Sequence, residues 1–285
     1  MHLPEPIIAI LIHFQPLFSQ PSYRKMVLLV CGTLLARGRR TVTTALKNLG
    51  LEKEANWSKY HHLLNRASWS GLAVAGVLLT LLVTTFVPPT GVIEIVVDET
   101  LERRWGKQIK KRGHWRDSLA SGKGQNVATS GLRWLVAALI VKLPFSSRQW
   151  ALPFLAVLLT TPKVSQELGL RHRTYLDRTR QLVYWLRRCF PDRSLKLIAD
   201  GAYSSLELGL ECQWLGVELI TTLRLDARLF ETARPQRKAG RGRPGVIGPR
   251  LAPLTQLALS QFSKEQGWQE VELKWYNGAL KRSGC

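Results

Sequence analysis

Two aspartates carry the chemistry this sequence offers. Asp98 follows the run Val92-Ile93-Glu94-Ile95-Val96-Val97, and Asp200 follows Leu195-Lys196-Leu197-Ile198-Ala199. Both runs read as short strands, the first buried on both faces of a sheet. Each aspartate is therefore expected immediately after a strand, where sites assemble in open α/β sheets. A carboxylate there is held rigidly, and two from neighbouring strands can share divalent cations. Mg2+ (or Mn2+) takes hard oxygen ligands and keeps several waters. Two such ions about 4 Å apart can activate a nucleophile and stabilise the leaving oxygen of a phosphodiester. Taken singly, either aspartate reads more simply as the cap of a helix or turn. Their shared context is what joins them.

The charge of the chain suits such a site. Forty-one Lys and Arg stand against twenty Asp and Glu, a net +21, over 285 residues of which 45% are apolar. The apolar share is enough for a packed core and excludes global disorder. The excess of cations points to a polyanionic partner, nucleic acid before a membrane surface or a ribosome. The four cysteines have neither zinc-knuckle spacing nor the density of a disulfide scaffold, so they read as incidental thiols in a reducing compartment.

The elements that must position the aspartates follow from periodicity and punctuation. Residues 1–18 contain Pro4, Pro6 and Pro16, lack a basic n-region and make a poor signal peptide. Residues 20–87 read as helical: 22–36, then the basic turn Arg37-Gly38-Arg39-Arg40, then 42–49 after a Thr41 cap and up to Gly50, then 57–64. These short helices fit a helix-turn-helix-like DNA-binding module and equally a plain helical bundle. Residues 72–87 carry no charge and stop at Pro88-Pro89. They are near the lower length limit for a membrane span, and a buried helix explains them as well.

Beyond Pro89 the texture changes to α/β. The polar stretch 102–131 reads as a loop or long hairpin, 132–143 as a strand, 150–161 as a strand or short helix, and 165–189 as one helix with arginines outward. A helix at 204–215 and a strand at 217–223 complete an alternation that implies an α/β sheet. The expected domains are a helical DNA-binding region at 1–87 and a catalytic domain at 88–285. Residues 234–250, RPQRKAGRGRPGVIGPR, form a Gly-, Pro- and Arg-rich loop without acids. It reads as a flexible tracker of phosphates, against the plainer alternative of a solvated loop.

The strings VVDETLERRWGKQI, LIADGAYSS and KAGRGRPGVIGPRL, with GRRTVTTALKNLG and WSKYHHLLNRASWS before them, resemble the DDE-type transposases of bacterial insertion sequences. The resemblance covers roughly residues 25–280. It implies a ribonuclease-H-like catalytic domain, a mixed sheet with flanking helices, and cut-and-paste DNA transposition. It also implies catalytic, Mg2+- or Mn2+-binding roles for Asp98 and Asp200, and double-stranded DNA, element ends and target, as the partner. Glu99 stands where close relatives often carry another acid and is given at most a supporting role. Arg103, Arg104, Lys107, Lys110, Lys111 and Arg112 are candidate DNA contacts, as are Arg237, Lys238, Arg241 and Arg243. A possible homodimer, no membrane, and a place on the nucleoid in a bacterial cytoplasm follow from the same resemblance.

One departure bears on activity. The family's third acid is a Glu on a helix well downstream of the second Asp. Glu265, Glu270 and Glu272 lie instead in a segment whose alternation, QEVELKWY, reads as a strand. The expectation is a C-terminally truncated chain lacking the third acid, so the alternative function is a non-catalytic DNA-binding remnant. A third alternative is a small basic membrane protein built on 72–87 and 150–161. His61, His62 and His114 are read as surface or phosphate-contact residues, and the ten tryptophans as core.

Overall fold

The computed structural model describes residues 4–122, 124–223, 227–232, 247–254, 256, 271–275 and 278–282. The chain divides into two compact units, Met1–Leu82 and Val83–Cys285.

The first unit is helical: α1 (Glu5–Leu11), a 3-10 turn (Ile12–Leu17), α2 (Gln20–Leu34), α3 (Val42–Asn48), α4 (Ser58–Asn65) and the start of α5 (Gly71–Phe86). Leu29, Ala45, Leu46, Tyr60 and Leu63 form a small core, edged by Met26, Leu28, Val42 and Leu51. Thr41 begins α3 as expected, its hydroxyl accepting from the Thr44 N–H at 3.1 Å. Residues 35–41 and 49–57 join the helices, longer links than the three- or four-residue turn of a helix-turn-helix. The arrangement is that of a small helical bundle.

The bundle depends on a close approach at Gly32. A Cβ there would lie 2.3 Å from the Ala45 carbonyl oxygen, so α2 and α3 touch backbone to backbone. Gly32→Ala is expected to destabilise this unit by about 1–3 kcal/mol, because the clash is with backbone that cannot rotate away. Thermal unfolding checks this; an unchanged melting temperature would mean that α2 and α3 part freely.

Helix α5 has sixteen residues, and it buries Ala75, Leu79 and Val83, one residue per helical turn. No helix among the described residues is long and apolar enough to cross a membrane.

The second unit is an α/β layer structure. Its strands are β1 (Ile93–Arg103), β2 (Gly113–Arg116), β3 (Ala128–Lys142), β4 (Gln149–Leu159), β5 (Leu195–Ala199) and β6 (Val217–Thr221), with α6 (Pro162–Glu167), α7 (Tyr175–Cys189) and α8 (Leu206–Trp214) between them. The sheet runs β2-β3-β1-β5-β6, with β4 also on β3. Strands β3 and β4 form an antiparallel meander with β1, whereas β5 and β6 run parallel to it. This mixed order, with helices flanking the sheet and an all-α region before it, is ribonuclease-H-like.

One sheet face is fully buried. Ile93, Ile95 and Val97 of β1, Leu195, Leu197 and Ala199 of β5, and Leu135, Ala137 and Leu139 of β3 alternate onto it. Leu182, Val183 and Leu186 of α7 and Leu208 and Cys212 of α8 are equally buried. Phe154 of β4 stacks on Trp185 of α7 at 6.2 Å. The other face of β1 is only half-buried, so the strand is not enclosed on both faces as its β-branched run suggested.

One further expectation changes, and two open ones resolve. The helix expected at 165–189 is two helices, because Gly169 turns the chain at φ +63. Thr174 and Asp177 then start α7 with reciprocal capping bonds of 2.9 and 3.1 Å. Of the two readings of 102–131, loop and long hairpin, the hairpin holds: β1 reaches Arg103, and β2 in the middle pairs antiparallel with β3 from Ala128. Of the two readings of 150–161, strand and short helix, the strand holds, at Gln149–Leu159. The remaining short strands are β7 (Phe230–Thr232) with β8 (Ile247–Arg250), and β9 (Val271–Trp275) with β10 (Gly278–Arg282), two antiparallel pairs. Cys31 and Cys212 are buried thiols and Cys189 an exposed one, all free.

Candidate active site

The register of β1 with β5 brings the aspartates together. Ile93 lies beside Leu195, and each successive pair keeps the offset up to Val96 beside Ile198. Two residues further at the same offset, Asp98 comes opposite Asp200. Adjacent strands lie about 4.8 Å apart, so the two side chains start from neighbouring backbone positions. On the half-buried face, Lys196 of β5 holds this register from the side, its ammonium 3.1 Å from Glu94 of β1 and 3.7 Å from Glu218 of β6.

The two aspartates reach that position differently. Asp200 does follow a strand: β5 ends at Ala199, and the Asp200 carboxylate accepts from the Ala202 N–H at 2.9 Å, capping a 3-10 turn at Gly201–Tyr203. Gly201 leaves no slack, since a Cβ there would meet the Thr222 carbonyl and hydroxyl oxygens at 3.0 Å. Asp98 does not follow a strand. It lies inside β1, which runs on to Arg103 because β3 continues to pair with it where β5 stops. Asp98 accepts from the Glu99 N–H at 2.7 Å. Both aspartates are exposed, and among the described residues the second oxygen of each carboxylate accepts no hydrogen bond.

Beneath them is a cluster of which the sequence reading named only Glu99. Glu99 points to the buried face, paired with Arg133 of β3, and the Tyr203 hydroxyl donates to it at 3.4 Å. Burial pushes the Glu99 carboxyl above the usual range, although Arg133 pulls the other way. Burial also pushes the Tyr203 phenol well up, and Glu99, Asp98 and Asp200 all add to the shift. Of the three carboxylates, Glu99 is the one that the hydroxyl touches. Tyr175, at the start of α7, packs edge-on against Tyr203 at 5.1 Å and donates to the Ala202 carbonyl at 3.0 Å. The signal for Tyr203 was present in the string Asp-Gly-Ala-Tyr; Tyr175 has no local signal.

The cations expected to meet DNA divide into two groups. Arg103 is bound to Asp117, which is 4% exposed, at 2.7 Å, and holds that carboxyl below its ordinary range. Asp117 also accepts from the Leu119 and Ala120 N–H groups, pinning the loop after β2. Arg104 pairs with Glu102, and Arg112 donates to the Trp105 carbonyl at 3.0 Å. Lys107, Lys110 and Lys111 are exposed and have no ion pair among the described residues. Arg237, Lys238, Arg241 and Arg243 lie outside the described residues, as do Glu265 and Glu270; Glu272 is on β9.

Asp98 and Asp200 offer hard carboxylate oxygens on a solvent-facing edge, which fits Mg2+ or Mn2+ with water completing the shell. Among the described residues no three His, Cys, Asp or Glu side chains gather as a metal cluster.

A mixed sheet of this order, with one acid on each strand line of its central parallel pair, is the framework of the ribonuclease-H-like nucleases. The family model described as DDE superfamily endonuclease matches residues 13–281, and the chain belongs to that family. A solved structure described as the piggyBac transposase synaptic complex with hairpin DNA is similar at 11% identity and a TM-score of 0.34. The match covers 83% of this chain, which spans 50% of the length of that one. Among curated proteins none matches.

Proposed function

We propose that this chain is a transposase that cleaves DNA at the ends of a bacterial insertion sequence and joins them to a target by cut-and-paste. The observation that supports this reading best is the parallel pairing of β1 with β5, whose offset, carried two residues past Val96 and Ile198, puts Asp98 level with Asp200. In this reading the two carboxylates hold Mg2+ or Mn2+, which when bound polarises the phosphodiester and lowers the pKa of a water or hydroxyl nucleophile. Asp98 fixes its carboxylate through a central strand and Asp200 through a capped turn, so neither has to reorganise when substrate arrives. Lys107, Lys110 and Lys111 grip phosphates, the basic segment 234–250 extends that grip, and the helical region 1–87 adds a second DNA contact. Two copies acting on paired ends make a homodimer.

The test is nicking of duplex DNA carrying the element's own ends, with Mg2+ or Mn2+ and with chelator. Metal-dependent nicking would support the reading. DNA binding that is retained and salt-sensitive, with no nicking under either ion, would favour a non-catalytic DNA-binding role.

The lysines make a separate prediction. Changing Lys107, Lys110 and Lys111 together to Ala is expected to flatten the slope of log K against log salt by roughly 2–3, since each phosphate contact contributes about 0.9. Binding isotherms across a salt series measure it. An unchanged slope would remove these lysines from the DNA interface.

A further inference from the structure

We propose that Tyr175 and Tyr203 form a latch that fixes the Asp200 turn against β1 and so sets the spacing of the two carboxylates before any cation is present. This rests on the reading of Asp98 and Asp200 as a metal site.

Three elements grip the residue 200–203 turn, and none does so through the Asp200 carboxylate. From α7, the Tyr175 hydroxyl donates to the Ala202 carbonyl at 3.0 Å. From β6, the Thr221 hydroxyl donates to the Asp200 carbonyl at 2.6 Å. From within the turn, the Tyr203 hydroxyl reaches back to Glu99 of β1, the residue next to Asp98. Tyr203 is 1% exposed, and its ring is wedged edge-on against Tyr175. Glu99 is itself held by Arg133, whose guanidinium lies 5.4 Å from the centre of the Trp115 ring. The line from Asp200 through Tyr203 and Glu99 therefore ends one residue from Asp98.

The hydroxyls are the informative atoms. Two packed rings would fill this space equally well as phenylalanines, yet both oxygens meet polar groups that locate the turn. Two neighbouring carboxylates repel each other. Asp200 lies past the paired residues of β5, so its turn alone resists an outward swing. The latch opposes that swing from the buried side and leaves the outer carboxylate oxygens open. The two tyrosines are thus positioning residues: they act on the metal site through Asp200 and Glu99.

The experiment is Mn2+ binding to the full chain without DNA, read by the electron paramagnetic resonance of free Mn2+. Wild type is compared with Tyr175→Phe, Tyr203→Phe, the double variant, Asp98→Ala and Asp200→Ala, and melting temperature is measured on each. The expected result is loss of binding in both Asp variants and an affinity about 10-fold or more weaker in the double Phe variant, as for groups that orient metal ligands. Each single Phe variant should fall between, with little change in melting. Equal Mn2+ affinity in wild type and every folded Phe variant, with both Asp variants defective, would overturn the latch alone. Absence of Mn2+ binding in wild type, or its persistence in both Asp variants, would overturn the metal site and the latch with it. Tyr175→Phe, at a partly exposed position, carries the test if the double variant fails to fold.

Discussion

Asp98→Asn and Asp200→Asn are each expected to lower metal-dependent nicking about a thousandfold while leaving DNA affinity and its salt dependence unchanged. The size follows from the charge. Stabilisation of a transferring phosphoryl group through a bound cation is worth several kcal/mol, and each 1.36 kcal/mol is a factor of ten in rate. Asparagine is the sharper substitution at residue 200. The Asp200 carboxylate caps the turn through the Ala202 N–H, a bond that an amide oxygen can still accept. Alanine would lose the cap as well, costing about 1 kcal/mol, and would confuse a folding defect with a chemical one. Asp98 is exposed within a strand paired on β3, so its amide variant should fold without penalty. The measurement is single-turnover nicking with each variant, alongside binding at several salt concentrations. Nicking within about tenfold of wild type in either variant would remove that aspartate from the chemistry.

Arg187→Met is expected to destabilise the second unit by about 3–5 kcal/mol, because it orphans carbonyls that one guanidinium now collects. Its Nε donates to Leu215 O at 2.8 Å and its Nη2 to Gly216 O at 2.7 Å. Its Nη1 faces the carbonyls of Phe190, Pro191 and Arg193 at 2.8–3.1 Å. These are the C-terminal ends of α8 and α7, where unpaired carbonyls and the helix dipole both favour a cation. For a domain of this size the melting temperature should fall by roughly 10 °C. Arg187→Lys should recover only part of the loss, since an ammonium cannot fan planar donors across both helix ends. Circular dichroism melts decide it. Equal stability of the Met and wild-type chains would mean that water replaces the guanidinium without cost.

How much of this was readable without coordinates can be judged residue by residue. The strands that carry the aspartates were legible because β-branched runs bounded by Pro88-Pro89 and by Asp200-Gly201 have few other readings. Their starts fell within a residue of Ile93 and Leu195. The break between α6 and α7 was legible in principle, since Gly169 and the Thr174/Asp177 pair are stop and start signals. The run of apolar and basic residues on either side masked them. The extension of β1 past Asp98 was not legible, because Glu99, Glu102 and Arg103 look like loop until β3 is there to pair with them and Arg133 and Asp117 to bind their charges. The contact of Tyr203 with Glu99 spans 104 positions and depends on strand order, which no local pattern encodes. The basic segment illustrates the same limit. Composition marked all six cations at 103–112 alike, but only the fold separates the three lysines facing solvent from the three arginines bound to the protein itself.

The pairing of β1 with β5 joins residues 102 positions apart, whereas β1, β3 and β4 are neighbours along the chain. Contacts closed over long loops form late, and during synthesis the N-terminal part folds first. The β1–β3–β4 meander can therefore assemble on the ribosome while Asp98 stands alone. Only after β5 has emerged and aligned with β1 does the second carboxylate arrive beside it. A nascent or interrupted chain would thus hold basic surface and one acid before it acquired the pair.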